Sequence, residues 1–314
     1  MQEIQNETQN MDTHIGYNKN LFVLPFDHRA GFAKKLFGFD EPYSREAIEK
    51  VADCKDIIYQ AIWHAIELGV PKDSSAILVD EIFGEEVLED ASKKDMIILQ
   101  TTEKSGQDEL ALEYGDEYIA HLKKFNATFA KVLVRYNVEG DELVNARQRI
   151  LLKKMSDELH AEGIKLLIEP LIPATVQQLA KVGGDTLRFD KELRPLLCSD
   201  MISDLQDSGV ECDVWKIEGF YAKHDYELVC SQARNKDHRK NVGVIILGRN
   251  ETKEHVMSWI NAGRDVDGVI GFAVGRTIFW DFIVSYKEGK ITREECIEGI
   301  ANEYFEYYQV FRGI

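Results

Sequence analysis

Eight short apolar runs, separated by longer amphipathic stretches, constrain the fold of this 314-residue chain more than any other feature of its sequence. Each run has the length and composition of a strand that is buried on both faces, as in a parallel sheet. The average spacing of about 39 residues leaves room for one strand and one helix in each unit. The runs span residues 21–26, 75–79, 96–101, 129–135, 164–169, 213–217, 242–247 and 268–274.

The stretches between the runs carry helical patterns. Ile48, Val51 and Ile58 approximate a stripe with the 3.6-residue period of a helix, and Gly69 and Gly163 lie where helix C-caps are expected. Eight alternating strand–helix units predict an α/β protein with a closed (β/α)8 barrel, the TIM barrel. A doubly wound open sheet is the alternative, because eight runs alone do not prove closure. Neither GxGxxG after the first strand nor GxxxxGK[ST] occurs, which disfavours a nucleotide-binding fold.

The domain organisation follows from composition. No Pro- or Ser-rich linker divides the chain, so the sequence predicts a flexible polar leader at residues 1–18 and one barrel domain at 19–314. No apolar stretch approaches the roughly 20 residues that span a bilayer. The five cysteines form no CxxC pair, which favours buried, reduced thiols and a cytoplasmic location.

The charge balance excludes one class of partner. The chain carries 38 Lys and Arg against 55 Asp and Glu, a formal net charge of −17. A strongly acidic surface repels phosphate backbones, so nucleic acid is not expected as a partner. A membrane is not expected either, but for the separate reason that no apolar stretch is long enough to span one. A small anion is still compatible with this charge where arginines and lysines cluster locally.

Charged and polar residues follow nearly every predicted strand. Because a (β/α)8 barrel gathers its chemistry at the C-terminal ends of the strands, these residues are the candidates for a functional site. The set comprises Asp27, His28, Arg29, Asp80, Glu81, Glu103, Lys131, Arg135, Glu169, Lys216, Glu218, Gly248, Arg249, Gly275 and Arg276.

Lys216 is the most informative candidate. Strand alternation places Val214, Lys216 and Glu218 on one face, within an otherwise apolar segment. Loss of hydration disfavours the charged ammonium and lowers the lysine pKa, and nearby Lys131 and Arg135 act in the same direction. A neutral amine is what Schiff-base catalysis requires. The alternative is a strand-end lysine that is solvated or paired with Glu218.

Three carboxylates are candidates for proton transfer. Glu169 ends a strongly apolar strand and is expected to project into the barrel mouth, either to move protons or to pair with Lys131 or Lys216. For Asp27 and Glu103, the sequence supports a catalytic role and a structural role in a loop equally.

The residues after strands 7 and 8 suggest an anion site. Gly248 and Gly275 let backbone N–H groups approach an anion closely, and the helix after Gly275 adds a favourable dipole. Arg276 supplies a bidentate donor, with Arg249 beside it. The alternative is a pair of glycines at barrel bends and a surface arginine.

Six segments resemble a known family. The segments PFDHRAGF, VDEIFG, TEKSGQ, FAKVLVRYN, DVWKIEGF and GFAVGRTIFW resemble the barrel that forms the C-terminal half of fused bacterial 5-dehydro-2-deoxygluconokinases, from Leu21 to the C-terminus. That barrel is in turn similar to the class I tagatose-bisphosphate and sulfofructose-phosphate aldolases, on strands 1, 4, 5, 6 and 8.

This resemblance implies a role for each matching residue. Lys216 takes the place of the Schiff-base lysine, and Glu169 that of the proton-transferring glutamate. Lys131 corresponds to the active-site lysine of strand 4, Asp27 to the acid that ends strand 1, and Arg276 to the phosphate-binding arginine. Apart from the resemblance, Arg29, Arg135 and Glu103 are expected to contact substrate because they lie at strand ends.

The resemblance also implies a reaction without a metal or other cofactor. The substrate is expected to be a phosphorylated keto sugar acid or ketose, with 2-deoxy-5-keto-gluconate 6-phosphate from inositol breakdown favoured. On class precedent a homo-oligomer is expected. One departure concerns the substrate: the tagatose-type enzymes have a Ser-containing phosphate loop after strand 7, where this chain has Leu247-Gly248-Arg249. Arg249 is expected to replace the hydroxyl or to read a second anionic group, such as a carboxylate.

Two other functions remain open from the sequence. A metal-dependent lyase or isomerase would use strand-end carboxylates as oxygen ligands for Mg²⁺ or Mn²⁺. That set comprises Asp80, Glu81, Glu103, Glu169 and Glu218. His28 is expected to position other groups, because no second histidine lies at ligand spacing. The other alternative is a non-catalytic barrel that binds a sugar phosphate and regulates or scaffolds a kinase.

Overall fold

Eight parallel strands close into a barrel in chain order, with β8 paired to β1. The structure is a computed structural model that describes residues 14–249 and 251–314. The predicted (β/α)8 barrel is therefore confirmed, as a single domain, and the doubly wound alternative is wrong. The strands are β1 (Leu21–Pro25), β2 (Ser75–Val79), β3 (Ile97–Thr101), β4 (Phe129–Arg135), β5 (Lys165–Leu171), β6 (Val214–Glu218), β7 (Gly243–Leu247) and β8 (Val269–Ala273).

Helices follow the strands and surround the barrel. They are α1 (Ala30–Phe37), α2 (Arg45–Leu68), α3 (Glu81–Lys93), α4 (Tyr118–Lys124), α5 (Glu142–Ala161), α6 (Val176–Lys181), α7 (Thr186–Arg188), α8 (Arg194–Asp207), α9 (Lys223–Ala233), α10 (Lys253–Gly263), α11 (Arg276–Lys287) and α12 (Arg293–Arg312). A π-helical turn, Phe189–Leu193, joins α7 to α8. None of the helices within the described ranges is both long and apolar enough to cross a membrane.

Strand β5 is longer than the sequence indicates. The apolar run ends before Pro170, which lacks the N–H that a central strand uses. In the structure β5 continues to Leu171, because β4 extends beside it and the backbone N–H of Tyr136 donates to the Leu171 carbonyl at 2.9 Å. The extension holds Glu169 inside a strand, where its orientation is fixed.

Alternating residues on the strands create two apolar layers. The outward-facing residues pack against the helices, and the inward-facing ones fill the barrel. The inner cluster comprises Leu21, Val23, Ala76, Leu78, Leu99, Phe129, Leu167, Val214, Ile245, Ile270 and Ala273. Because side chains alternate with a period of two, the next inward positions along each strand lie above this apolar plug. Lys131, Glu169 and Lys216, two residues after Phe129, Leu167 and Val214, are therefore directed into the barrel mouth.

Closure between β1 and β8 depends on Gly271. This residue pairs with Leu21, and a Cβ atom at Gly271 would lie 1.9 Å from the Leu21 carbonyl oxygen. No side chain fits at that distance, so the sheet closes here only with glycine.

The N-terminal segment contacts the opposite end of the barrel from the strand C-termini. Residues 1–13 of the predicted leader lie outside the described residues, whereas 14–18 pack against the barrel. The Gly16 N–H donates to Asp213 Oδ1 at 2.8 Å, and the Tyr17 ring meets the Phe129 ring edge-on at 5.2 Å. These contacts cover the bottom of the barrel, because Phe129 belongs to its inner apolar cluster.

The aromatic C-terminal segment forms α12 and belongs to the outer layer. Its N-terminus is fixed by a capping box between Thr292 and Glu295. The Tyr304 hydroxyl donates to the Phe22 carbonyl at 2.8 Å, and Phe311 packs on the Phe22 ring. Helix α12 therefore covers the outside of β1 and β8. The five cysteines are buried and unpaired.

Candidate active site

A cavity of about 530 Å³ opens at the C-terminal ends of the strands. All the residues that the sequence assigns to catalysis or substrate binding line it. These are Asp27, Arg29, Glu103, Lys131, Arg135, Glu169, Lys216, Gly248, Arg249, Gly275 and Arg276. The barrel therefore brings the candidates together, while their individual roles stay predictions.

Lys216 lies in the wall of this cavity, on β6. Its inward orientation follows from Val214, two residues earlier, which belongs to the apolar plug. The Lys216 side chain is only 6% exposed, and its Nζ lies 2.8 Å from Glu169 Oε2. A buried amine therefore faces the cavity beside a carboxylate.

A second buried lysine stands next to Lys216. Lys131, on β4, is 2% exposed and its Nζ contacts three carboxylates: Asp27 at 3.0 Å, Glu103 at 2.7 Å and Glu169 at 3.0 Å. Burial lowers the pKa of the Lys131 ammonium, but the three acids outweigh burial and raise that pKa well above its ordinary value. Lys131 is consequently a fixed cation, and Glu169 Oε2 is shared between it and Lys216.

The three carboxyl groups around Lys131 are not equivalent. Burial raises the pKa of Asp27 and Glu169, but Lys131 and other nearby cations outweigh it and hold both values below the ordinary range. For Glu103 burial prevails over Lys131 and Arg29, and its pKa is raised. Glu103 Oε2 is also buried without a hydrogen-bond partner among the described residues. Asp27 and Glu169 are thus held ionised by the neighbouring cations, whereas burial opposes the ionisation of Glu103.

The opposite side of the cavity is open to an anion. Gly275 precedes α11, and a Cβ atom there would lie 2.3 Å from the Pro25 carbonyl oxygen, so glycine is required. Arg276 is half-buried and forms no ion pair within the described residues. Burial lowers its pKa, against the opposing effect of Asp27 and Glu169. A guanidinium and a helix N-terminus therefore face the cavity together.

The surroundings of Arg249 differ from those that the sequence predicts. Its Nε lies 2.7 Å from Glu218 Oε1, and its terminal nitrogen lies 2.5 Å from Asp190 Oδ2. The backbone of Arg249 is left-handed, with φ 49°. Two carboxylates therefore already neutralise the guanidinium that was expected to meet a second substrate anion.

Arg29 and Arg135 hold the long loop between β3 and α4. Arg29 pairs with Glu113 at 2.9 Å and donates to the Glu103 carbonyl at 2.6 Å. Arg135 donates to the Gln107 carbonyl at 2.6 Å. This loop supplies residues 103–111 to the cavity wall. The sequence indicated the first part of that wall, through Glu103 and the segment TEKSGQ, but not residues 108–111, because the segment has neither helical nor strand periodicity.

The carboxylates proposed as metal ligands do not converge. Asp80 pairs with buried Lys55 outside the cavity, and Glu81 pairs with His121 at 2.6 Å. Glu218 pairs with Arg249, which leaves only Glu103 and Glu169 at a common point. Across residues 14–249 and 251–314, no group of three or more His, Cys, Asp or Glu side chains is arranged to hold a metal ion. That ligand set is therefore wrong, because strand-end carboxylates in this chain each have a basic partner.

His28 lines the cavity beside Asp27. Its Nδ1 is buried without a hydrogen-bond partner in the part of the chain that the structure describes, and burial lowers the pKa of the imidazole to about 4. The ring is therefore neutral near pH 7. Its predicted positioning role stays a prediction.

The closed (β/α)8 barrel of this chain is shared by solved structures. A fructose-bisphosphate aldolase from Plasmodium falciparum, solved with TRAP and a small-molecule inhibitor, superposes with a TM-score of 0.62 at 12% identity, over 96% of this chain and 93% of that one. Cgl0159 from Corynebacterium glutamicum superposes with a TM-score of 0.56 at 15% identity, over 91% of this chain and 86% of that one. At these identities the likeness concerns the fold alone.

The chain belongs to a bacterial protein family. The model of the family described as "Uncharacterized protein conserved in bacteria (DUF2090)" matches residues 4–313. No curated protein matches the sequence. The resemblance to the barrel of the kinase fusion proteins stays an expectation.

Proposed function

We propose that this protein is a class I, Schiff-base aldolase acting on a phosphorylated keto sugar acid or ketose. The observation that carries the proposal is the contact between Lys216 Nζ and Glu169 Oε2, 2.8 Å apart in the wall of the cavity. An amine that is buried, lines the cavity and touches a proton acceptor has what a Schiff-base nucleophile needs.

The first half of the reaction forms the covalent intermediate. Lys216 gives a proton to Glu169, and its neutral amine adds to the substrate ketone to form a carbinolamine. Protonation of the carbinolamine hydroxyl and loss of water then leave an iminium cation attached to Lys216. The proton that Glu169 had taken is consumed in this step, so Glu169 is ionised again. The iminium cation is an electron sink for cleavage of the neighbouring carbon–carbon bond.

The second half breaks the carbon chain. Ionised Glu169 takes the proton from the hydroxyl on the departing carbon, the carbon–carbon bond breaks, and its electron pair forms an enamine on Lys216. An aldehyde leaves, the enamine carbon is protonated, and water releases the ketone product. Lys131 and Asp27 orient the hydroxyl and the carbinolamine, since both are held in their charged forms.

Arg276, Gly275 and Gly248 bind the substrate phosphate in this proposal. Arg276 has no acidic partner to give up among residues 14–249 and 251–314, so a phosphate would meet an unpaired guanidinium at a helix N-terminus. The favoured substrate is 2-deoxy-5-keto-gluconate 6-phosphate. Its cleavage would give dihydroxyacetone phosphate and malonate semialdehyde.

Borohydride trapping tests the proposal. The protein is incubated with dihydroxyacetone phosphate and sodium borohydride, and the labelled peptide is identified by mass spectrometry. We expect a reduced adduct on Lys216 that is absent from Lys216→Met, which should also show no turnover. Lys104→Met, a change at the exposed mouth of the same cavity, is the matched control and should retain the adduct.

Three other outcomes would overturn the proposal. An adduct that persists in Lys216→Met would assign the nucleophile to another lysine. Turnover that disappears in EDTA and returns with Mg²⁺ or Mn²⁺, without an adduct, would indicate a metal-dependent lyase. Thermal stabilisation by sugar phosphates, with neither adduct nor product, would indicate a binding protein.

A further inference from the structure

Glu103 is the strongest candidate for a role beyond those already assigned. It lies directly after β3, is 7% exposed and lines the cavity. Its Oε1 accepts from Lys131 at 2.7 Å, whereas its Oε2 is buried with no partner among the described residues. A buried carboxyl oxygen without a partner is costly unless it is protonated or meets a ligand.

The neighbouring contacts connect Glu103 to the reacting nitrogen. Lys131 Nζ bridges Glu103 Oε1 at 2.7 Å and Glu169 Oε2 at 3.0 Å, and the same Glu169 oxygen lies 2.8 Å from Lys216 Nζ. Two carboxyl groups and two amines thus form one continuous chain along the cavity wall. Glu103 stands at the end of this chain that is opposite Lys216.

We propose that Glu103 is the general acid that protonates the carbinolamine hydroxyl through its free Oε2. This inference rests on the proposed Schiff-base chemistry and deepens it. The Glu103 carboxylic acid gives its proton to the hydroxyl, the carbon–oxygen bond breaks, and water leaves. The nitrogen lone pair completes the iminium, and Glu103 is left as a carboxylate.

The division of labour between Glu103 and Glu169 follows from their surroundings. Glu169 contacts two ammonium groups and must be ionised to act as the base in bond cleavage. It first receives the proton that Lys216 loses. Lys131 then passes one of its protons to Glu103 as it takes the proton from Glu169, so Lys131 stays charged throughout. This transfer restores the protonated acid and the ionised base. Two carboxyl groups with opposed environments commonly divide the roles of acid and base in this way.

Oxygen exchange measures the proposed step directly. Each formation of the iminium removes the ketone oxygen as water, so ¹⁸O-labelled dihydroxyacetone phosphate loses its label to solvent faster than in buffer alone. We expect Glu103→Gln to reduce this catalysed exchange by roughly 10²–10⁴-fold, the usual contribution of a general acid. Glu103→Asp should restore part of the rate.

Matched measurements separate this role from a structural one. The side-chain amide oxygen in Glu103→Gln would still accept from Lys131, so the variant should keep its fold, and prolonged borohydride treatment should still label Lys216. Glu109→Gln is the control at the same mouth, because Glu109 pairs outward with Arg147 at 2.7 Å and should not affect exchange.

The pH dependence supplies a second readout. The wild-type exchange should decline as pH rises through the raised pKa of Glu103, since the acid form is needed. Lys131 and Arg29 oppose this raised value, while Asp27 supports it. Glu103→Gln should lack this decline.

The results distinguish failure of either proposal. If wild-type protein forms no adduct on Lys216, the aldolase proposal fails. If the adduct forms but Glu103→Gln exchanges ¹⁸O at the wild-type rate, Glu103 is not the acid. If Glu103→Gln and Glu103→Asp lower exchange and melting temperature in parallel, Glu103 has only a structural role.

Discussion

Two buried lysine–carboxylate pairs in this barrel have opposite surroundings. Lys55 on α2 and Asp80 after β2 are both fully buried, and each polar atom of Asp80 is used: one oxygen binds Lys55, and the other accepts from the Phe83 N–H at 3.0 Å. The second pair, Lys216 and Glu169, lies in the wall of a cavity of about 530 Å³. Burial and ion pairing alone therefore do not mark a functional site. The second pair differs from the first in its access to the cavity and in the unpaired polar groups nearby, Glu103 Oε2 among them within the described residues.

The difference predicts unequal losses of stability when each lysine is removed. Lys55→Met leaves Asp80 as an uncompensated buried charge, so the free energy of unfolding should fall by about 3–5 kcal/mol. Lys216→Met should lower stability much less, because Lys131 still pairs with Glu169 and water can enter the cavity. Urea denaturation of both variants measures the contrast.

A second substitution checks the physical cause. Adding Asp80→Asn to Lys55→Met removes the stranded charge and retains a good N-cap for α3, so part of the stability should return. The Lys55→Met variant should still form the borohydride adduct below its melting temperature. Equal destabilisation by Lys55→Met and Lys216→Met would contradict the comparison.

Arg276, on the side of the cavity proposed to bind phosphate, allows the same comparison between a defined site and an exposed position. Arg276→Gln removes a charged hydrogen-bond donor worth about 1.5–3 kcal/mol, which corresponds to roughly 10–150-fold weaker binding of a phosphate. The expected readout is a higher concentration of dihydroxyacetone phosphate for half-maximal adduct formation. Lys104→Gln, at the exposed mouth, should change it by less than about threefold, because solvent and salt screen its charge. Similar effects from both variants would mean that the overall electrostatic field around the cavity mouth, and not a defined binding site, attracts the anion.

The smallest expected effect is the pH dependence of stability near the lysines. Asp27 has a lowered pKa in the folded state, so its contribution is complete above the ordinary carboxyl value of about 4 and is lost as pH falls. Glu103 has a raised pKa in the folded state, so its contribution to stability is present at low pH and is lost as pH rises. Between about pH 3 and 6, Asp27→Asn should flatten the rise of unfolding free energy with pH, and Glu103→Gln should steepen it. Denaturation at several pH values gives both slopes, and slopes that change in the same direction would refute this assignment.

The barrel could be predicted because each of its strands is encoded by a short apolar segment of the sequence. The runs at 75–79 and 129–135 coincide with β2 and β4, since an apolar segment between helices has few alternatives to a buried parallel strand. β5 exceeds its prediction, because pairing with β4 outweighs the local effect of Pro170. Residues 14–18 also pack against the barrel, although their polar composition suggested a leader.

The sequence predicted which residues line the candidate site, but only part of how their charges pair. The rule that barrel chemistry collects at strand C-termini identified Lys131, Glu169 and Lys216. It did not reveal that Arg249 faces two carboxylates, one of which, Asp190, comes from the segment between α7 and α8. It also selected Asp80 as a metal ligand, because the partner Lys55 lies on a helix and carries no strand-end signal.

The sequence by itself determined the eight alternating strand–helix units and most of the side chains that point into the barrel mouth, because strand alternation and apolar periodicity are encoded by neighbours along the chain. Only the tertiary structure decided which charges neutralise one another. Ion pairing depends on distances of a few ångströms between atoms far apart in sequence, and those distances exist only once the barrel has closed. Within the described chain, that closure surrounds Lys131 with three acids and raises the pKa of one of them, Glu103. It also leaves Arg276 without an acidic partner.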